Sequence, residues 1–515
     1  MPQTEETFRS FWERRVDATP SADFLVYEGT RQTYAEFDHS LNSLAHGLLA
    51  AGVRQGSRLA YHLPNGLDLL RVELAAQKLG AVTVPMIAGL TYPEMTYILE
   101  HAEPSHLILD AAGQRTLTEG GGIGARAIRV FVFDGDTAGL DTGENQRPPA
   151  PDLDPLAPMS IRYTSGSTGR PKGVIQPSAG FASAGHAIAN RLSISGEDNV
   201  FSALPLFHTA ASHMMLAPAI AAGCAFTLVP QFSRTAFWQQ VRDSGGTITL
   251  LMPAQISILM TAAPGPGDRD NPLRLIFSHV RSEEFCTRFG VDICTTWAMT
   301  ETSGMGTLTP AGYDSYRPKL IGRPMPDDAE IKIVGPAGEE LPPGEPGELC
   351  FRHPHAMIEY YRDERNTAST LRDGWVHSGD LCAMDEAGQA YFHGRLKNVI
   401  KRGGENIAGE EVEFTIMEHP AVEECVVCGV ADEIYTEEVC ATVVVREGCS
   451  LSEAEIVRWC ARHLSDWKVP RYLRLVHTPL PRLANGKTNR GVVTRKAVAD
   501  LADAWDRRNE VAIDA

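Results

Sequence analysis

The strongest chemical signal in the chain is the stretch Tyr163 to Val174, which reads YTSGSTGRPKGV. Gly166, Gly169 and Gly173 alternate there with Thr164, Ser165, Ser167 and Thr168, all close to Lys172. Glycine lets backbone N–H groups turn inward and approach an anion closely. Hydroxyls add donors, and lysine adds a full positive charge. Such a loop suits phosphate. Its spacing is not the G-x-x-x-x-G-K-[ST] of Walker loops, which argues against a P-loop kinase or GTPase. A plain Gly/Ser linker would need neither the Pro171-Lys172 pair nor the β-branched residues on either side.

A second chemical stretch, Thr295-Thr296-Trp297-Ala298-Met299-Thr300-Glu301-Thr302, follows downstream. Glu301 offers a hard carboxylate suited to Mg2+. A third, Asp373-Gly374-Trp375-Val376-His377-Ser378-Gly379-Asp380, ends on an acid. Together with the Gly/Ser/Thr/Lys loop, these stretches resemble the adenylate-forming superfamily of acyl-CoA synthetases, peptide-synthetase adenylation domains and luciferases. The combination HVRSEEFCTRFGVDI, WAMTET and IKRGGENI is most similar to crotonobetaine/carnitine–CoA ligases and related acyl-CoA ligases.

The resemblance implies roles residue by residue. The loop Thr164, Ser165, Gly166, Ser167, Thr168, Gly169 and Lys172 would hold the phosphates of ATP. The flat ring of Trp297 would stack on adenine. Thr300 would bind phosphate oxygens, Glu301 would hold Mg2+, and Asp380 would accept hydrogen bonds from the ribose hydroxyls. Arg395 would also reach the nucleotide, and Lys487, in the Asn485-Gly486-Lys487 stretch, would be the adenylation lysine. His208, Met214, Ser278, Arg281, Ala298 and Met299 would line the acyl pocket. For Arg281 a solvated surface charge is an equal alternative. Lys401, Arg402, Gly403 and Gly404 form a basic, flexible loop suited to the thiol side, although alone they would read as an ordinary charged turn. Lys397 stands at the hinge. No aspartate lies between Phe207 and Leu216 to hold a substrate amine, which disfavours an α-amino acid. Ala298, Glu359 and the stretch Ser278–Arg281 depart from the superfamily pattern.

The elements that must position these residues follow from periodicity. Leu41, Leu44, Ala45, Leu48 and Leu49 repeat at helical spacing before Gly52. Strand candidates at 58–61 and 81–85 flank a helix at 67–79. Alternating helix and strand predicts a layered α/β domain with a mostly parallel sheet. The run 381–394 reads as a hairpin about Glu386-Ala387-Gly388. A helix at 410–418, strands at 424–430 and 439–446, and a capping box at Ser452 and Glu455 build a small terminal unit. The expected fold is α/β: a large multi-sheet N-terminal domain with helix-covered sheets, residues 1–394, and a small, mobile α+β C-terminal domain, residues 395–515, joined by the hinge.

Composition narrows the function. A chain of 515 residues should split into at least two domains. A net charge of -18 without a basic block argues against nucleic acid. No apolar run is long enough to span a bilayer. The polar, acid-bearing start MPQTEETFRSFWERR is read as no export signal, so the cytoplasm is expected. Ten cysteines lie scattered after Gly223 and are read as reduced thiols. Cys425 and Cys428 form a CxxC inside CVVCGV, a buried strand rather than a metal pair, and no second pair completes a zinc site. The expected activity is ATP-dependent acid–thiol ligation. A carboxylic acid and ATP give acyl-AMP and pyrophosphate; CoA then yields the thioester and AMP. Rotation about Lys397 would exchange Lys487 for the thiol-side loop. Transfer to a carrier protein or amine is the alternative; no carrier domain follows before Ala515, so such a carrier would be a separate partner. A nucleotide-binding sensor without catalysis is the alternative of another class. A homodimer is the prior for assembly.

Overall fold

The computed structural model describes residues 6–124, 127–164, 171–313, 316–396, 399–481 and 488–510. They form two compact units. The first takes the described residues of Met1–Ala88, Ile98–Tyr163 and Gly173–Leu396. The second takes those of Gly89–Tyr97, Thr164–Lys172 and Lys397–Ala515. The terminal unit therefore also gathers two short segments from the first half of the sequence.

The first unit is built on two sheets. In the smaller, strands Val82–Pro85, Arg58–His62, His106–Asp110 and Arg129–Phe133 run parallel. Strand Pro158–Thr164 joins beside Val82–Pro85. The larger sheet changes character along its width. Asp23–Tyr27, Ala225–Leu228, Asn199–Ser202, Ile248–Leu250, Leu275–Ser278 and Asp292–Ala298 are parallel neighbours in that order. Beyond Asp292–Ala298, the strands Gly306–Leu308, Leu320–Met325, Ala390–Arg395, Trp375–Met384, Gly347–Arg352 and Glu330–Val334 alternate antiparallel. Ligands of open α/β sheets bind beyond the carboxyl ends of the strands. The sequence expectation of a mostly parallel sheet, made from the strands at 58–61 and 81–85, holds in the smaller sheet where they lie; the larger sheet is parallel in one half only, and Asp292–Ala298 lies at the seam.

Local sequence explains the elements. Thr33 and Glu36 form a reciprocal capping box at the start of helix Tyr34–Ala50. That helix buries Phe37, Leu41, Leu44, Ala45 and Leu48 in the core that also holds Trp12 and Phe24. Lys78 is fully buried there, its Nζ donating to Asp38 Oδ1 at 2.6 Å and Asn42 Oδ1 at 2.5 Å. A buried ammonium persists only when paired and hydrogen-bonded in this way. The connector after Arg147 is tied down by the guanidinium of Arg9, which donates to the carbonyls of Pro148 and Pro149.

The second unit centres on the hairpin Val422–Asp432 and Thr436–Val445, with Tyr472–Val476 parallel to the latter. Helix Gly409–Met417 and helix Glu453–His463 accompany it, the second opened by the Ser452/Glu455 capping box. Cys425 and Cys428 are buried in the long strand, as the CVVCGV run indicated. Lys468 is almost buried between two acids, with Nζ 3.0 Å from Glu94 Oε1 and 2.8 Å from Glu411 Oε1. Ser465 adds its hydroxyl to Glu94 at 2.6 Å.

Candidate functional site

Four parallel strands of the large sheet end on the same side, and each hands the chain to candidate residues. Asn199–Ser202 leads to Leu204 through His208, Ile248–Leu250 to Met252, Leu275–Ser278 to His279, and Asp292–Ala298 to Met299, Thr300 and Glu301. Sheet pairing therefore collects the acyl-pocket candidates Ser278, Ala298 and Met299 at neighbouring strand ends. Ser278 lies directly opposite Thr295 in the register. The segment after His208 continues through Thr209–Ala211 into a π-helical turn, Ser212–Leu216. Such turns are often found at functional sites. Met214 is buried in this turn. Gly304, just past Glu301, is in the left-handed region at φ +76°, and a Cβ there would lie 2.8 Å from His213 Cβ. Its lack of a side chain lets the Thr300–Glu301 turn sit against the His213–Met214 turn.

Glu301 is buried, with 7% of its surface exposed. The Tyr360 hydroxyl donates to its Oε1 at 2.6 Å, and Met357 N–H donates to its backbone carbonyl. Burial first, and then the neighbouring Glu301 carboxylate, push the Tyr360 phenol far above its usual value, so it stays a neutral donor. Among the described residues no cation lies within ion-pair distance of Glu301, so its charge is stabilised without being cancelled. The Thr300 carbonyl accepts from Gln176 Nε2 at 2.9 Å. At the end of the same strand, Trp297 Nε1 donates to Asp380 Oδ2 at 2.8 Å. Asp380 is brought there by strand Trp375–Met384, and its backbone pairs with that of Arg395.

Three of the expected site residues have partners of their own. Trp297 is only 5% exposed and packs with Met305, Ile321 and Leu349. Its evident contact is the N–H bond to Asp380, and little of its face is open for stacking. Arg281 donates to Asp292, to Glu283 Oε1 at 2.6 Å and to the Ile293 carbonyl at 2.8 Å, and lies over the Tyr316 ring. These acids hold the guanidinium in the scaffold. Arg402 likewise pairs with the buried Glu438, Nε to Oε2 at 2.6 Å, and stacks over Tyr435. It is a structural ion pair rather than a loose thiol-side cation. Lys401, Gly403 and Gly404 lie in the tight hairpin between Val399–Arg402 and Glu405–Ala408, where both glycines take positive φ.

Thr164 ends strand Pro158–Thr164, and Lys172 begins strand Lys172–Pro177; both are half-buried. Ser165, Gly166, Ser167, Thr168, Gly169, Lys397 and Lys487 lie outside the described residues, as does the side chain of Arg395. His208 is half-buried, its ring 4.3 Å from that of Phe207.

Sequence reasoning missed a buried polar network beneath these strand ends. Arg162, 2% exposed, pairs with Glu73 and donates to the Phe207 carbonyl. Gln176 accepts from Arg162 Nε at 3.1 Å and donates to Thr300. One network thus holds both the residue before His208 and the residue before Glu301. The available signal was a charge inside an otherwise uncharged strand.

Comparison with known proteins places this arrangement. The AMP-binding enzyme family model matches residues 12–361, and the AMP-binding enzyme C-terminal domain model matches residues 411–487. The chain belongs to the AMP-binding enzyme family. It is 33% identical over 505 residues to a crotonobetaine/carnitine–CoA ligase of Escherichia coli O157:H7, covering 93% of this chain and 97% of that one. The ligase of the same name from Shigella flexneri is 33% identical over 504 residues, with the same coverage. Among solved structures, o-succinylbenzoate CoA synthetase (MenE) from Bacillus subtilis, a double mutant bound with a product analogue, superposes with a TM-score of 0.84 at 25% identity. It covers 96% of this chain and 99% of its own. ATP-bound MatB from Rhodopseudomonas palustris gives 0.70 at 25% identity, over 96% and 99%. This AMP-binding enzyme is an acyl-CoA synthetase by class, a ligase that works through acyl-AMP. The large multi-sheet domain and smaller terminal domain match that fold. Among the described residues, no helix is long and apolar enough to cross a membrane.

Proposed function

We propose that the enzyme activates its carboxylic acid at the carboxyl end of strand Asp292–Ala298, with the residues assigned below. The observation that carries this reading is that one strand end presents Glu301 with a neutral donor and also anchors Asp380 through Trp297. A carboxylate and a triphosphate repel each other, so positive charge and donors must gather both. The loop from Thr164 to Lys172 holds the phosphates, Thr300 binds phosphate oxygens, and Asp380 accepts the ribose hydroxyls. Arg395 assists at the nucleotide. Glu301 fits a hard divalent cation, because its carboxylate is buried, oriented by Tyr360 and not neutralised by a described cation. Mg2+ bound there would supply positive charge to the leaving pyrophosphate.

The acid's oxygen attacks the α-phosphorus, and the bond to pyrophosphate breaks. Lys487 stabilises the charge that grows on the phosphoryl oxygens. The CoA thiol then attacks the acyl carbon, loses its proton and expels AMP. Lys401, Gly403 and Gly404 serve this second step, with Lys397 as the pivot. His208, Met214, Ser278, Ala298 and Met299 line the acyl pocket; Arg281 does not. None of the ten cysteines is joined in a disulfide, which suits a reducing cytoplasm.

The test is AMP and pyrophosphate release with a panel of acids, with and without CoA. The panel starts with crotonobetaine and carnitine, the acids in the relatives' names, and runs to bulky and cyclic acids. AMP turnover that depends on CoA supports the reading. Turnover only with an added carrier protein or amine would move the acceptor. Lys487→Ala should abolish acyl-AMP formation yet spare thioester formation from supplied acyl-AMP; equal loss of both would remove Lys487 from its role.

A further inference from the structure

Strand Gly347–Arg352 runs antiparallel to Trp375–Met384, and in that register Cys350 faces His377. The pairing is irregular between Glu348 and Cys350, a bulge-like step. Bulges re-aim side chains. Glu348 and Cys350, two apart on one strand, share a face, and the step, with its extra residues on the partner strand, puts His377 opposite Cys350. His377 Nδ1 is 2.9 Å from Glu348 Oε2 and 3.4 Å from Cys350 Sγ. The three ligand atoms lie within 4.8 Å of one another.

We propose that Glu348, Cys350 and His377 form a binding site for a borderline transition-metal cation, Zn2+ being the fitting one. The donor set is one thiolate, one imidazole and one carboxylate, the mixture that zinc takes and that magnesium and calcium do not. Tetrahedral zinc with bonds of about 2.0–2.3 Å sets neighbouring ligand atoms about 3.3–3.7 Å apart. The two distances given above need only tenths of an ångström of adjustment. Three protein ligands leave a fourth position for water.

The surroundings suit the task. Cys350 is fully buried, while the side chains of His377 and Glu348 are 11% and 21% exposed, so the site is closed beneath and open above. Glu348 Oε1 accepts from Gly379 N–H at 2.8 Å, which leaves Oε2 for the cation and fixes the carboxylate's orientation. Nδ1 ligation places the imidazole proton on Nε2. As the metal–sulfur bond forms, the S–H bond of Cys350 breaks and its proton leaves to solvent. No electron is transferred. The site is separate from Glu301, which presents a carboxylate without sulfur or imidazole and so suits a hard cation. The sequence concealed it because its ligands stand on two strands without a CxxC or paired histidines.

The test uses the full chain, freed of metal by chelator and titrated with Co2+ as a spectroscopic stand-in for Zn2+. One equivalent should raise a thiolate-to-cobalt absorption in the near ultraviolet and strong four-coordinate visible bands, and Zn2+ should bleach both. Cys350→Ser should remove the thiolate band, and His377→Gln should weaken binding by at least about 10-fold. Circular dichroism confirms that both variants fold. Zn2+ should also raise the melting temperature of the parent chain and not that of Cys350→Ser. A missing thiolate band, or one that survives in Cys350→Ser, would overturn the proposal. So would a Zn2+-induced shift of equal size in both proteins.

Discussion

Glu301 and Glu73 are both buried glutamates of the first unit, and their partners differ. Glu73 meets a guanidinium, Arg162, so its charge is closed within the scaffold. Glu301 meets a phenol, Tyr360, which orients the carboxylate without neutralising it. Burying a carboxylate beside a neutral donor is unfavourable unless something else supplies positive charge. The fold accepts that at Glu301 and avoids it at Glu73. On the function proposed above, the contrast separates a group kept for a ligand from a group kept for the framework.

Two glutamine substitutions would break the comparison most sharply. Glu301→Gln keeps the shape and removes the charge. Adenylation, read by ATP–pyrophosphate exchange, should fall by about 100-fold or more, the scale of losing one transition-state charge stabiliser. Its melting temperature should hold or rise, since an uncompensated buried charge disappears. Glu73→Gln should do the reverse, lowering stability with far less loss of exchange. Equal effects on rate at both positions would erase the distinction.

Next comes the closed pair itself. Arg162→Met leaves Glu73 charged and buried, and should destabilise the first unit by about 3–5 kcal/mol in urea unfolding. Adding Glu73→Leu should restore most of that loss, because replacing both members of a buried pair by apolar groups is often neutral. If the double variant stays as unstable as the single one, the role of Arg162 lies in its bond to the Phe207 carbonyl rather than in the pair.

These two glutamates also differ in how far they could be read beforehand. Glu301 could be proposed from WAMTET, a run of neighbouring residues that carries a family resemblance by itself. Glu73 and Arg162 lie 89 positions apart, and only the meeting of their strand and helix relates them. The helices at 34–50 and 67–78 and the terminal hairpin followed from periodicity and caps. The sheet's switch from parallel to antiparallel did not, since strand direction depends on long-range pairing. The partners of Arg281 and Arg402 were hidden for the same reason: a lone arginine reads alike whether it faces a ligand or an acid such as Asp292 or Glu438.

A smaller effect is expected where Trp297 supports Asp380. Trp297→Phe keeps a ring and deletes the N–H donor. A hydrogen bond to a charged group contributes about 1.5–3 kcal/mol, so the KM for ATP should rise by about 10-fold or more, with kcat nearly unchanged. An unchanged KM would mean that Asp380 needs no help from the indole in meeting the ribose.

The smallest effect tests a third kind of buried group beside the two glutamates. His213 is fully buried in the π-helical turn, its Nδ1 2.9 Å from Ser212 Oγ and its Nε2 without a hydrogen-bond partner among the described residues. Burial first, and then the charge of Arg162, hold the imidazole well below its usual value, so it stays neutral in the folded chain. The unfolded chain protonates near the ordinary histidine value of about 6.5. Below that pH the unfolded state binds a proton that the folded state refuses, so stability falls as pH falls. One such group contributes up to about 1.4 kcal/mol per pH unit. His62 and His353 are lowered too, so the parent chain should lose more than His213's share between pH 7.5 and 5.5. His213→Leu should flatten the slope by about one histidine's worth in urea unfolding at those two pH values. An unchanged slope would mean that His213 takes up a proton without unfolding, which would put a charge against the acyl pocket and join it to the open class of Glu301.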